Sequence, residues 1–395
     1  MSYIGKTPTP APLTSSDITD GIITTTKIAD ANVTNPKLTS GSQQNFRNII
    51  INGDMSLAQR ATSETGITNA SGDVFVADRF CWSESGGMTS QFTMSQDTDV
   101  PAGYGFAKSL KLDCTTTDTP ATTERIRIET RFEGQNLQYL KKGTANAESW
   151  TLSFWVKSVK TGTYIVNFRD ENNTRIVSKA YTISSASTWE KKTITVAPDT
   201  TDPFDNDNAH SLTVAWILSA GSSLQSGSLA DVWQDYANAN YAAGQVNFAD
   251  NTANNFWITG VQLEAGTTAS DFEFLPHDVN LERCYRYYRT IVPLNSVDTG
   301  YAMAFYTGTG NVRFLLTLDI PMRVTPSIDY ITGSSYFKVF AAGSTNNLNS
   351  WSLQNTATNR FILANNTGEA SGTAGFTGYA QSNSNSAYLG LEAEL

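Results

Sequence analysis

Few residues of this 395-residue sequence could carry acid–base, nucleophilic or metal chemistry. Only two histidines are present, His210 and His277, and the chain has no HExxH, GxSxG or GxxxxGK[ST] motif. The three cysteines, Cys81, Cys114 and Cys284, lie far apart and form no CxxC or Cys-His metal pattern, so we expect buried thiols. The sequence therefore predicts no catalytic residue, no metal site and no cofactor.

The acidic segment DPFDNDN, residues 202–208, is the one place where carboxylates cluster: Asp202, Asp205 and Asp207. Oxygen-rich loops can hold Ca²⁺, but the glycine and the distal glutamate of an EF-hand are missing here. Because Asp and Asn favour tight turns, an exposed turn is the preferred interpretation, and calcium binding stays open. Glycoside cleavage needs two carboxylates at a defined separation, and the sequence selects no such pair among its 37 acidic residues.

Aromatic side chains in polar surroundings are more informative. Sugars present apolar C–H faces flanked by hydroxyl groups, and flat rings beside Asn, Asp and Gln match such a surface. The candidate glycan contacts are Trp155, Trp233, Tyr236, Tyr241 and Trp351. The alternative for each ring is packing against a neighbouring sheet, loop or subunit.

The segment ERCYRYYRT, residues 282–290, alternates charged residues with three tyrosines. Such a segment could bind an anionic ligand. The preferred interpretation is that the tyrosines are core residues and the arginines form bridges at a domain boundary.

The composition favours an all-β protein that binds neither nucleic acid nor membrane. Charged residues make up only 16% of the chain, while Thr, Ser, Asn and aromatic residues are frequent, which suits strands joined by long turns. The net charge is −10 without a basic block, so the chain is a poor ligand for nucleic acid or anionic lipid. It contains no run of 18 apolar residues and no signal-peptide core, so we expect cytosolic synthesis and no membrane insertion.

Residues 46–277 alternate apolar and polar side chains in short runs. In RIRIETRF, Ile126, Ile128, Thr130 and Phe132 share one face, whereas the arginines and the glutamate share the other. TLSFWVKS and SLTVAWILSAG repeat this pattern, and turn-rich segments separate the runs. Many half-buried strands without amphipathic helices between them predict a jelly-roll-like β-sandwich of the kind that binds carbohydrate.

Residues 278–395 predict a smaller C-terminal β-sandwich. HDVNLERC predicts one helical turn, with Asp278 or Asn280 as its cap. The runs that follow, such as NVRFLLTLDIPMRV and YFKVFAAG, predict strands.

Residues 13–42 repeat in fives, and each pentad opens with Leu, Ile or Val. The repeated aliphatic residues are Leu13, Ile18, Ile23, Ile28, Val33 and Leu38. Period five fits neither a helix nor a strand, so each pentad is interpreted as a short extended step followed by a bend. One aliphatic residue per pentad needs covering by identical copies or by a partner. Residues 1–45 are therefore predicted to be an extended stem for assembly or docking, with a flexible linker as the alternative.

A series of motifs runs along most of the chain. They include NIIINGDMSLAQRATS at 48–63, VADRF at 76–80, the segments at 134–166, 188–196 and 256–288, MRVTPSI at 322–328 and the terminal LEAEL. Together they resemble a widespread group of bacteriophage tail fibre proteins, and the pentads resemble stems of fibres from marine podophages. The segments at 220–247 and 341–382 carry no motif of this group, so we expect receptor specificity to reside there.

This resemblance implies a structural virion protein: a homotrimeric tail fibre, made in the bacterial host cytoplasm. Residues 1–45 would attach it to tail hub or adaptor proteins, residues 278–395 would form the host-facing tip, and its β domains would bind host surface polysaccharide or lipopolysaccharide. The group has no agreed catalytic residues, so we expect a fibre rather than an enzyme. Two alternatives stay open: a short tailspike that degrades polysaccharide, and an adaptor that links the tail hub to another fibre.

Overall fold

The alternating runs form antiparallel β-sheets, as the sequence predicts. The computed structural model describes residues 46–331, 333–354 and 357–395. The predicted stem, including Leu13, Ile18, Ile23, Ile28, Val33 and Leu38, lies outside the described residues, so its assembly role stays a prediction.

The first sandwich has two sheets. Its strands are β1 Ser63–Ile67, β2 Val74–Phe75, β3 Cys81–Ser85, β4 Gln91–Asp97, β5 Ser109–Thr116, β6 Arg125–Glu133, β7 Trp150–Ser158, β8 Gly162–Asp170, β9 Arg175–Ile183, β10 Glu190–Val196, β11 His210–Ala220, β12 Gln234–Asp235 and β13 Asn255–Ala265. Short 3₁₀ helices lie between them at Asn69–Ser71, Gly134–Asn136, Gln138–Leu140, Ser222–Leu224, Asn238–Asn240 and Phe248–Asp250. One sheet has the order β1-β4-β5-β13-β7-β10, and the other has the order β12-β9-β8-β11-β6-β3-β2. The chain crosses from one sheet to the other at most of its connections, with hairpins such as β4–β5 and β8–β9 inside a sheet, which gives the jelly-roll-like connectivity expected.

The core of the first sandwich is aromatic. Trp216 of β11 is fully buried, and its ring meets Phe154 of β7, from the opposite sheet, edge-on at a centroid distance of 5.7 Å. Edge-to-face pairs of this kind add roughly 0.5–1.5 kcal/mol to the free energy gained by burial. Ile126, Ile128 and Phe132 of β6 point into the same core, so the predicted inward phase of RIRIETRF is confirmed.

The second sandwich also has two sheets. Its strands are β14 Tyr288–Val292, β15 Gly300–Gly308, β16 Asn311–Thr317, β17 Ser327–Ile331, β18 Phe337–Ala341, β19 Ser344–Leu348, β20 Ser352–Leu353, β21 Phe361–Thr367, β22 Thr377–Ser382 and β23 Tyr388–Glu392. The orders are β14-β23-β17 and β19-β18-β22-β15-β16-β21-β20. The segment 341–382, expected to consist of specificity loops, is therefore largely strand.

A row of apolar side chains crosses the outer face of the seven-stranded sheet in the second sandwich. Strand register pairs Phe340 with Tyr379, Tyr379 with Met303, Met303 with Leu315, and Leu315 with Leu363. Met303 is 64% exposed, and Phe340 and Tyr379 are also exposed. We call these five residues the apolar row.

The helix α1, His277–Tyr285, joins the sandwiches and is the one α-helix of the described residues. Its N-cap is Pro276 and no side chain caps it, so the predicted cap at Asp278 or Asn280 is wrong and the helix is longer than one turn. The segment after it fastens the sandwiches together: Arg286 Nε and the Tyr287 hydroxyl each donate to Glu133 Oε1 at 2.6 Å. The predicted role of ERCYRYYRT, with tyrosines in the core and arginines bridging a boundary, is confirmed at these residues.

The three cysteines, Cys81, Cys114 and Cys284, are buried and unpaired, as predicted. Burial raises the pKa of each thiol. Across the described ranges, no helix has the length and apolar content needed to cross a membrane.

Candidate functional site

The predicted glycan contact Trp351 is not available for stacking. Its side chain lies in the core of the second sandwich, where only 2% of the residue is exposed. The ring packs edge-on against Phe314 of β16 at a centroid distance of 4.6 Å. The polar sequence around Trp351 suggested a surface position, but the indole turns inward from between β19 and β20 because the core offers it an aromatic partner.

Trp233 packs at one end of the first sandwich. Its ring meets Trp150 edge-on at 5.3 Å, and its indole Nε1 donates to the main-chain oxygen of Ala197 at 3.1 Å. The Lys142 ammonium lies 5.4 Å from the Trp233 ring centroid. These contacts give Trp233 a packing role and place it away from the other predicted rings.

Trp155 lies on the outer face of the six-stranded sheet, as its phase in β7 predicts. Its ring contacts that of the exposed Tyr104 at a centroid distance of 4.3 Å. Gly260 makes this arrangement possible because it sits at a bulge in β13 with φ +62°, and a Cβ there would lie 3.1 Å from Trp155 Cδ1. The pair presents a small aromatic surface on a sheet where Lys157 is paired with Asp99 and the exposed Lys191 lies opposite Trp155 on β10.

Tyr236 and Tyr241 come together on the opposite sheet. The segment between β11 and β13 folds over the outer face of β8, β9 and β11, where Leu224 and Tyr241 pack against Ile217. The two tyrosine rings meet edge-on at 6.0 Å. Of the five predicted rings, only these two are brought together, and they stand at the edge of a polar cleft.

This cleft, which we call the outer cleft, occupies the part of the face that the segment leaves open. Its volume is about 210 Å³. The side chains from β6 that line it are Arg125, Arg127, Glu129 and Arg131. Those from β8 and β11, with the residue after β8, are Asn167, Arg169, Glu171, His210, Thr213 and Ala215, and Tyr241 forms the wall.

Strand register sets the shape of the outer cleft. Ala215 of β11 pairs with Glu129 on one side and with Asn167 on the other. The small Ala215 side chain leaves space between two long polar neighbours, so the floor dips at the middle strand. Thr213, one step along the same face, lies between Arg131 and Arg169 in the same way.

Asn167 is the unusual residue of the outer cleft. The residue is only 1% exposed, yet neither its amide nitrogen nor its amide oxygen has a hydrogen-bond partner in the described parts of the chain. Leaving a buried polar group unpaired costs roughly 1–3 kcal/mol, and an ordered water or a ligand can supply the missing partner. The amide has two donors and an acceptor, and both of its polar atoms are closed off from solvent in this conformation.

Glu129 is held between two guanidinium groups. Arg131 Nε donates to Glu129 Oε1 at 2.8 Å, and Arg127 bonds the other carboxylate oxygen. Burial tends to raise the pKa of the Glu129 carboxyl, because it disfavours the charged form. The positive charges of Arg127 and Arg131 have the larger combined effect, so the pKa is lowered. Glu129 therefore stays ionised and fixes the two arginines against the sheet.

A short chain of hydrogen bonds links His210 to Thr213 and Glu171 at the other end of the outer cleft. The Thr213 hydroxyl donates to Glu171 Oε1 at 2.9 Å, which leaves its oxygen to accept from His210 Nε2 at 2.8 Å. Burial, with Arg131 nearby, lowers the pKa of His210 to about 4. The imidazole is therefore neutral at pH 7.

The acidic segment DPFDNDN forms an exposed turn. Asp202, Asp205 and Asp207 are all exposed, and no group of three His, Cys, Asp or Glu side chains within the described ranges is arranged to hold a metal ion. Next to this turn, Lys142 Nζ lies 2.7 Å from Asp170 Oδ2 and bonds the main-chain oxygen of Asp202 at 2.6 Å. The buried Lys142 ammonium therefore provides the positive charge beside the Asp170 carboxylate and the main-chain oxygen of Asp202.

The sequence interpretation found the wall of the outer cleft but missed its floor. A signal for the floor was present. GTYIVNFRD places Asn167 and Arg169 in the phase opposite to Tyr164, Val166 and Phe168, and RIRIETRF does the same for its charged residues. What the sequence lacks is the register that joins these segments.

No protein-family model and no curated protein matches the sequence. Among solved structures, a domain of tailspike protein 4 of bacteriophage CBA120, described as enzymatically active, is similar at 14% identity and a TM-score of 0.28. The likeness covers 55% of this chain, and the chain spans only 21% of that domain.

Carbohydrate-binding modules give similar values. A structure described as that of a CBM4 module matches at 12% identity and a TM-score of 0.29, covering 54% of this chain and 97% of the module. The family 11 module of a Clostridium thermocellum cellulase matches at 11% identity and a TM-score of 0.25, covering 53% and 98%. At these scores we base functional reasoning on this chain's own residues.

Proposed function

We propose that the chain is a glycan-binding protein and that the outer cleft is its binding site. The floor of the cleft carries amide, hydroxyl and guanidinium groups, and its wall is Tyr241, which is only 4% exposed and whose ring lies beneath Arg125. Polar groups that read hydroxyls are a main component of a sugar site, so the proposal depends on the floor rather than on stacking.

The unpaired amide of Asn167 is the observation that carries this proposal. A sugar hydroxyl can accept from Nδ2 and donate to Oδ1, so it would satisfy both buried atoms at once. The cost of keeping the amide unpaired in the free protein is then offset when the ligand enters.

The same cleft supports binding over cleavage. A glycosidase needs one carboxyl group with a raised pKa to protonate the leaving oxygen. Glu129 has a lowered pKa and both its oxygens bond to arginines. Glu129 is therefore not suited to donate a proton. Glu171 already accepts from Thr213.

We further propose that this protein is a homotrimeric phage tail fibre. Residues 1–45 would dock to tail hub or adaptor proteins, and the outer cleft would bind host surface polysaccharide or lipopolysaccharide. The support is the series of motifs described above and the aliphatic residue in every pentad. Weak sugar sites gain avidity when three copies bind one surface, which gives the trimer a functional purpose.

The binding proposal is tested with purified host surface polysaccharide immobilised on a sensor. We expect wild-type protein to bind and Asn167→Leu to lose at least tenfold in affinity, since a bonded amide is removed. Asn347→Leu, an exposed residue of β19 outside the cleft, is the matched control and should bind normally. Equal binding by Asn167→Leu would place the site elsewhere. Release of reducing ends would favour the tailspike.

The assembly proposal is tested by native mass measurement of the full chain beside a form that lacks residues 1–45. We expect a trimer that weakens or dissociates on truncation. A truncated trimer of unchanged stability would remove the stem's assembly role and leave docking.

A further inference from the structure

We infer that the sugar bound in the outer cleft carries a negative charge, as a carboxylate or a sulfate, which Arg169 recognises while Asn167 reads a neighbouring hydroxyl. This inference rests on the proposed function and names the ligand class for the same site.

The charge of the outer cleft is opposite to that of the chain. The whole sequence has a net charge of −10, whereas the lining holds four arginines and two glutamates. With His210 neutral, these side chains sum to a formal charge of +2. A positive cleft on an acidic protein attracts anions locally while the remaining surface repels them.

The arginines of the outer cleft differ in how many of their N–H donors already bond to other groups of the protein. Glu129 bonds Arg127 and Arg131, and Arg131 also bonds Asp73 at 2.6 Å, so these two are committed to the protein. Arg169 forms an ion pair with Glu171, with 3.2 Å between Nε and Oε2, but its Nε has no hydrogen-bond partner in the described parts of the chain. Its side chain is 33% exposed, so the guanidinium can still reach a ligand.

Arg169 is held ready for a ligand by stacking. Its guanidinium carbon lies 4.9 Å from the ring centroid of Tyr236, which positions the group without using its donors. Arg125 is arranged in the same way against Tyr241 at 5.1 Å, and its Nε is also unpartnered in the described parts of the chain. Tyr236 and Tyr241 thus hold two cations at the cleft wall.

Asn167 and Arg169 are two residues apart on β8 and face the same way. That spacing is roughly 6–7 Å along a strand, and the arginine side chain can shorten it. The volume of about 210 Å³ lies below the roughly 300 Å³ where sites for drug-sized ligands begin, so one sugar residue fits better than a longer segment. Both groups can therefore contact a single acidic sugar.

Three probes test the inference by calorimetry: a polygalacturonate tetrasaccharide, the same compound after reduction of its carboxylates to alcohols, and a sulfated galactan tetrasaccharide. We expect an anionic probe to bind at least tenfold more tightly than the reduced one, because a charge-assisted bond is roughly twice as strong as a neutral one. The preference should fall when the salt concentration is raised. Carboxylate and sulfate are distinguished by which anionic probe binds.

Arg169→Gln should abolish the preference for an anionic probe over the reduced one. Arg313→Gln, on the outer face of the second sandwich, removes the same charge outside the cleft and should change nothing. Thermal unfolding of each variant shows whether it is folded. Equal binding of charged and reduced probes would overturn the inference and leave the glycan site standing. An undiminished preference in Arg169→Gln, or no binding of any probe, would also overturn it.

Discussion

The two seven-stranded sheets have equivalent inner faces and contrasting outer faces. Both bury aromatic rings between sheets, at Trp216 in the first sandwich and Trp351 in the second. Outside, the first sheet carries the outer cleft, with arginines and an unpaired amide beneath a covering segment. The second carries the apolar row, open to solvent at Met303. The inner phase of the alternation specifies the fold, and the outer phase is where these sheets acquire different chemistry.

The inner faces provide the largest test of this comparison. Trp216→Ala and Trp351→Ala should each lower the free energy of unfolding by about 3–5 kcal/mol, because each removes a fully packed indole. Urea unfolding followed by circular dichroism measures both. A loss below about 1 kcal/mol for Trp351→Ala would mean that this ring lies at the surface, and the inner faces of the two sheets would then not be equivalent.

The outer cleft should make the stability of the first sandwich depend on pH. His210 has a pKa of about 4 when folded, below the ordinary 6.5 of an unfolded chain. Between these values the unfolded chain binds a proton that the folded one does not, so stability falls as pH drops from 6.5 to 4. The groups facing His210 are Arg131, Glu129 and Arg169.

His210→Gln should remove about 2–3 kcal/mol of that pH dependence. Urea unfolding at pH 6.5 and pH 4.5 gives the difference, and His277→Gln, on the exposed start of α1, is the matched control. An identical pH profile for His210→Gln and wild type would show that the imidazole is not held neutral in the cleft.

The apolar row should contribute the least to stability. Met303→Thr removes an exposed side chain, so the unfolding free energy should change by no more than about 0.5 kcal/mol. Binding of a hydrophobic dye should fall at the same time, because exposed apolar surface is lost. A loss of several kcal/mol would mean that Met303 belongs to the core, and the contrast between the outer faces would fail.

The alternation of apolar and polar residues was sufficient to predict which side chains form the inner faces of the sheets. Alternation in RIRIETRF and TLSFWVKS placed Ile126 and Phe154 inward and Trp155 outward, as the structure has them. It was misleading where local composition replaced periodicity, since the polar residues around Trp351 gave no sign of the Phe314 ring that covers it.

The outer cleft could not be assembled from the sequence because its parts are far apart in the chain. Arg131, Asn167 and Thr213 lie on three strands, and only the pairing of β11 with β6 and β8 makes them neighbours. Register depends on long-range packing, which a single sequence does not display.

The most direct test of the account is the unfolding free energy of wild type and Asn167→Leu, each measured with and without saturating host polysaccharide. Without ligand, the variant should be at least as stable as wild type, since it no longer buries an unpaired amide. With ligand at 100 times the wild-type Kd, wild type should gain about 2.7 kcal/mol and the variant no more than about 1.4 kcal/mol, the gain of a tenfold weaker binder. A variant that is strongly destabilised alone, or that gains as much as wild type from ligand, would contradict the claim that Asn167 is kept unpaired for a sugar.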